Sequence, residues 1–238
     1  MIAFLMGMFF STQAADHVKG NGKLSTKKIT IDDFNAIKFD GVIDFNYEQS
    51  ESTPHIEITV DENLHPYVNI DIQDRVLTVG FKGAKVDHFT KFIVKTNSKW
   101  LKEVKASGNA NFMANSPLKG DELKINANSN CLVQLKQKVV NELKTDKLEC
   151  SINGSGTINL KAGNAEEADY TITTDGEIMA FGVAVPEVNC KITGKGSAQI
   201  HPTDNLKATI VGKGNIRYKG PTAVQQKVIG KGTVEEVK

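Results

Sequence analysis

The chain has 238 residues, enough for one large β-domain or two modest ones with ample core. Its 29 basic residues balance 28 acidic ones, and only Arg75 and Arg217 are arginines. A near-neutral, lysine-dominated chain has neither the field nor the planar guanidinium forks of a nucleic-acid reader, so that class is excluded.

The first element is MIAFLMGMFFSTQAAD, an apolar run followed by small and polar residues. That is the outline of a signal peptide over residues 1–15, although the usual basic start is missing. The run is too short to span a bilayer, and no cysteine follows it to carry a lipid anchor. The expected location is therefore outside the cytoplasm: secreted, periplasmic or on the cell surface.

Residues 28–102 read as a β-rich N-terminal half or cap. FNAIKFDGVIDF sets Ile37, Phe39, Gly41, Ile43 and Phe45 in one apolar register, like a first coil. HIEITV and RVLTVGF alternate as strands, and VDENLHPY resembles a turn.

Residues 103–236 repeat. With Gly108, Ser129, Gly156, Gly176, Gly196, Gly214 and Gly232 as reference points, the intervals are 21, 27, 20, 20, 18 and 18 residues. Four residues before each stands Val104, Ile125, Ile152, Ile172, Ile192, Ile210 or Val228, all β-branched. Apolar residues recur two and four residues after, with mostly polar residues between. Strict alternation with β-branched residues inside means strands with one buried face. The period predicts an all-β fold, a right-handed parallel β-helix (β-solenoid) of about seven Gly-x-Gly coils stacked about 4.8 Å apart. The longest interval, containing KQKVVNELKTDK, predicts a protruding insertion or an extra strand.

The glycines Gly108, Gly156, Gly176, Gly196, Gly214 and Gly232 are then structural, supplying positive φ or close packing at corners. Phosphate loops need other spacings and a following helix, whereas strands follow here. Between the glycines, Lys195, Lys213 and Lys231 should point outward as a ladder, either a solvated edge or a binding stripe for an acidic glycan. Glu149, Asp169, Asp175, Glu177 and Glu187 fall on outer positions but in scattered columns, so no catalytic residue is assigned. The five histidines lack ligand spacing, so neither metal nor cofactor is expected. Cys150 and Cys190 share a column two coils apart with Tyr170 between them. That is about 9–10 Å, beyond disulfide reach, and predicts reduced, buried thiols.

FNAIKFDGVIDF, ITVDENL, RVLTVGF, FIVKTNSKWLKEVKASGNANF and the serial NGSGTINL, TGKGSAQI and VGKGNIRYKGP motifs together resemble the bacterial head GIN domain family of auto-transporter adhesins, of Bacteroidetes type. The likeness spans about residues 28–236. It departs at Ser129, at Asp175 and at the lysines, where small residues are commoner. The resemblance implies a β-helix-like fold in an exported protein and carries over no catalytic residue. The expected function is a non-catalytic, adhesin-like solenoid presenting a surface to a glycan or a surface protein. A polysaccharide-active enzyme and a structural envelope module are the alternatives.

Overall fold

The structure is a computed structural model that describes residues 16–135 and 143–237. The signal-peptide reading, and the part of the KQKVVNELKTDK insertion at 136–142, lie outside the described residues. The fold is all-β, with one short 3-10 helix and no closed barrel among the described residues.

The N-terminal strands are β1 (Asp16–Lys19), β2 (Leu24–Thr30), β3 (Ala36–Gly41), β4 (Asp44–Gln49), β5 (His55–Asp61), β6 (Val68–Gln73), β7 (Val76–Phe81), β8 (Ala84–His88) and β9 (Ile93–Ser98). The predicted turn VDENLHPY is instead the end of β5 followed by the 3-10 helix Glu62–Tyr67. The repeat region holds β10 (Glu103–Gly108), β11 (Asn111–Ala114), β12 (Leu118–Ser129), β13 (Leu132–Leu135), β14 (Leu143–Gly154), β15 (Thr157–Leu160) and β16 (Gly163–Thr174). It continues through β17 (Glu177–Gly194), β18 (Ser197–Gly212), β19 (Asn215–Tyr218), β20 (Ala223–Gly230) and β21 (Thr233–Glu236).

Each repeat pairs in parallel with the next. One ladder runs β3–β10–β12–β14–β16–β17–β18–β20, and a second, beyond the corner, runs β4–β11–β13–β15–β17–β18–β19–β21. FNAIKFDGVIDF is indeed in register with the next repeat: Ile37 lies beside Val104 and Phe45 beside Phe112. The large sheet is nonetheless mixed. β7 and β9 lie parallel on β3 and β4, while β6 on β7, β5 on β9 and β2 on β5 are antiparallel. These strands continue the sheet beyond β3 and β4.

The repeat register differs from the sequence reading in its first two coils. Ser129 aligns with Gly154, not Gly156, and Cys131 lies opposite the Gly156 position. Val104 and Ile125 consequently stack with Cys150, while Ala106 and Ala127 occupy the column of Ile152. A slip of two residues preserves the inside-outside alternation, so the hydrophobic pattern cannot detect it.

Inside, Ile152, Ile172, Ile192 and Ile210 form one fully buried stack, each worth about 1.5–3 kcal/mol of burial. Towards the N-terminal strands Phe39, Phe45, Tyr47 and Phe112 pack ring on ring, with Phe39 and Phe45 centroids 4.7 Å apart. Cys150, Tyr170 and Cys190 align on successive strands, and all three cysteines are free and buried. Burial pushes the Cys190 thiol up to about 12 and also raises Cys150 and Cys131. A thiol-disulfide reagent should therefore count no thiol in the native protein and three in denaturant without reductant. A denatured count below three would reveal a bridge.

Candidate functional site

The Gly-x-Gly corner divides its work between its two glycines. Gly154, Gly194, Gly212 and Gly230 all have φ between 123° and 140°, in line with Gly41 and Gly108 and with the non-glycines Ser129 and Thr174. Gly108 thus belongs to the first-glycine column, not to that of Gly156, Gly176, Gly196, Gly214 and Gly232. Those five, the second glycines, have no positive φ. A methyl on Gly176 would lie 2.4 Å from Ile152 Cγ2, and one on Gly196 equally close to Ile172 Cγ2.

Between the glycines the backbone is tied coil to coil. The amides of Lys195, Lys213 and Lys231 donate to the carbonyls of Thr174, Gly194 and Gly212, each at 2.8 Å. The three lysines are exposed and in register, as a stacked outward column. The same column continues into Asp175, Ser155, Asn130 and Asn109, with the Asn130 amide donating to Asn109 at 3.3 Å.

Flanking the lysines is a feature that whole-chain charge conceals. From 162 to 190 the chain carries Glu166, Glu167, Asp169, Asp175, Glu177 and Glu187 and no lysine or arginine. From 191 to 231 it carries seven lysines and Arg217 against Asp204 alone. Because successive repeats pair in parallel, these stretches become adjacent acidic and basic bands. Within the basic band, Val211 and Ile229 stand exposed, 39% and 54%, in the outward column immediately before the corner. Lys191 and Lys227 lie on one side of that column and the lysine ladder on the other.

The acidic groups also gather more than their column numbers suggest. Outward residues two apart in a strand are neighbours on one face, so Glu167, Asp169 and Glu187 line a shallow depression of 490 Å³ with Asn189, Asn205 and Lys207. Their carboxylates accept hydrogen bonds, Asp169 from Asn189 at 3.2 Å and Glu187 from Asn205 at 2.7 Å. Asp175 and Glu177 lie at and beyond the corner, away from this face. Neighbouring Glu149 pairs with Lys124 at 2.8 Å and Lys147 at 3.0 Å. Those hydrogen bonds hold its carboxyl below the usual range, the opposite of what a general acid needs. Among the described residues no group of three His, Cys, Asp or Glu could hold a metal ion.

The family model described as "Putative auto-transporter adhesin, head GIN domain" matches residues 33–221. The chain belongs to this family. Among solved structures, a putative adhesin from Parabacteroides merdae ATCC 43184 is 92% identical, covering 94% of this chain and 100% of its own, with a TM-score of 0.81. A putative adhesin from Parabacteroides distasonis ATCC 8503 is 64% identical over 93% of this chain and 100% of its own, TM-score 0.79. A putative lipid binding protein from Parabacteroides distasonis ATCC 8503 is 30% identical over 94% of this chain and 100% of its own, TM-score 0.80. No curated protein matches the chain.

In this head GIN chain the ITVDENL motif has a structural explanation. Asp61 is fully buried, and Leu64 fills the core beneath the 3-10 helix. The Asp61 carboxylate accepts from the Gly22 amide at 2.6 Å, the Thr90 amide at 2.7 Å and the Thr90 hydroxyl at 2.9 Å. It thereby ties the loops after β1 and β8 to β5. The sequence signals for the charge bands and for this buried carboxylate were present, in a windowed charge count and in an acidic residue ending an apolar strand.

Proposed function

We propose that this head GIN chain is an exported, non-catalytic, adhesin-like protein that holds an acidic glycan on the column Lys195, Lys213 and Lys231. Residues 103–236 form a right-handed parallel solenoid in this reading, and residues 28–102 its cap. The observation that carries it is the stacked, exposed lysine column within a band of eight cations and one anion. Ammoniums repeated about every 4.8 Å attract a polyanion of flexible spacing while the hydrogen-bonded corner keeps them at fixed heights. The triple variant K195S/K213S/K231S is expected to lose between about threefold and about a hundredfold in affinity for immobilised polygalacturonate, since three exposed charge contacts at about 0.2–1 kcal/mol each sum to about 0.6–3 kcal/mol. Unchanged retention of the folded variant overturns the reading.

A second reading rests on Val211 and Ile229. Exposed aliphatic side chains between lysine columns fit an anionic lipid surface, and the 30% identical relative is described as a lipid binding protein. Retention on phosphatidylglycerol vesicles but not on phosphatidylcholine vesicles or polygalacturonate selects it.

A further inference from the structure

Several coils away from the lysines, the loop between β9 and β10 presents Trp100, the only tryptophan in the chain. Tryptophan is usually among the most buried side chains, yet this one is 41% exposed. It forms one wall of an open depression of 330 Å³, with Pro117, Lys119, Ser50, Glu51 and Lys99 around it. The depression lies where the loop after β4, the loop after β9 and the turn before β12 come together.

The backbone that carries the indole is anchored. Ser98, fully buried, donates its hydroxyl to the Trp100 carbonyl at 3.1 Å and lies 2.9 Å from the buried Tyr47 hydroxyl. The Ser98 carbonyl accepts from the Ser50 amide at 2.9 Å. Leu101 on the other side is buried in the core. The opposite wall is fixed as well. The Gln49 side chain bonds the Lys119 backbone in both directions, at 2.9 and 2.8 Å, and the Gln49 amide donates to Ser116 Oγ at 2.6 Å. Ser98 and Leu101, on either side of Lys99–Trp100, are thus held without the indole being drawn into the core. Around the ring stand hydrogen-bonding groups of both signs, the Glu51–Lys99 pair at 3.0 Å and the Lys119 ammonium.

We infer that the Trp100 depression is a carbohydrate subsite that stacks the C–H face of a pyranose unit on the indole. An aromatic plate offers apolar area and a π-face to polarised C–H groups, while the rim acidic and ammonium groups accept from and donate to hydroxyls. An apolar peptide or lipid tail would leave that hydrogen-bonding rim in water and unused. The site does not rest on the lysine column, and either can fail without the other.

Because Trp100 is the sole indole, fluorescence excited at the red edge, where the four tyrosines do not absorb, reports this site alone. Titration with the uncharged cellohexaose, mannohexaose, xylohexaose and chitohexaose up to about 10 mM, weak-binding range, is expected to give a saturable change with at least one. W100A should weaken retention of that same oligosaccharide in affinity electrophoresis at least about tenfold, the equivalent of about 1.4 kcal/mol. W100F should retain part of it, and K195S/K213S/K231S should leave the fluorescence titration unchanged. No saturable change with any of the four, or a W100A variant that binds as the parent does, overturns the inference. A change that the lysine variant abolishes overturns the independence of the two sites.

Discussion

Asp61→Ala is expected to lower the unfolding free energy by about 3 kcal/mol at neutral pH, because two amides and a hydroxyl lose a buried charged acceptor together. The neighbourhood cannot close over the gap with another acceptor. Gly20 already packs so tightly that a methyl there would lie 2.6 Å from Asp61 Cγ. Asp61→Asn should recover only part of the loss, since its amide must turn an N–H toward at least one of the three donors. Urea unfolding at pH 7 checks both, and a cost below about 1 kcal/mol for the alanine variant would show that the clamp does not hold the loops after β1 and β8.

The same carboxylate sets a pH dependence. Burial alone would raise it, but the hydrogen bonds from Thr90 and Gly22 outweigh burial and hold it below the ordinary carboxylate range. The folded state therefore favours the ionised form more than the unfolded state, whose aspartates titrate near about 3.9. The resulting stability is present above that value and is lost as pH falls through it toward the folded value. The gap between parent and Asp61→Ala should be wide at pH 7 and narrow at pH 3. A gap that widens in acid would mean the carboxyl is protonated in the fold.

Much of the fold was legible because one physical rule repeats. Alternation showed strands, β-branched residues marked the inner face, and the return of both every 18–27 residues showed stacking. The misaligned first coils show the limit of that rule. Ala106, Ala110 and Cys131 stand where later coils have isoleucine or glycine, so the strongest markers were shifted onto Val104 and Ile125. The antiparallel pairings of β2, β5, β6 and β9 depend on which strand end the chain covers, and no local pattern encodes that. The candidate site was half legible. Lys195, Lys213 and Lys231 were identified by their glycines, but the opposed bands vanish in a whole-chain sum that comes to +1.

The second large effect tests the packing rule that produces the Gly-x-Gly signature. At Gly176, Gly196, Gly214 and Gly232 an added methyl would meet the isoleucine of the preceding repeat, whereas at Gly156, which follows Ala127, it would meet the Cys131 carbonyl. Gly176 faces Ile152, whereas Cys131, in the same column, follows a coil with Ala106 there. Gly176→Ala should cost about 2 kcal/mol from overpacking, after some offset from reduced unfolded-chain entropy. Ile152→Ala should cost about 3 kcal/mol through the cavity it leaves. The double variant copies the native Ala106–Cys131 solution, with a methyl from one coil entering space vacated in the other. What remains close, the Cβ of residue 152 at 3.1 Å and the Gly156 carbonyl at 3.2 Å, need each yield only a few tenths of an ångström. The two changes together should therefore cost less than their sum by at least about 1 kcal/mol. Additivity within about 0.5 kcal/mol would mean that the glycine answers to the backbone carbonyl rather than to the isoleucine.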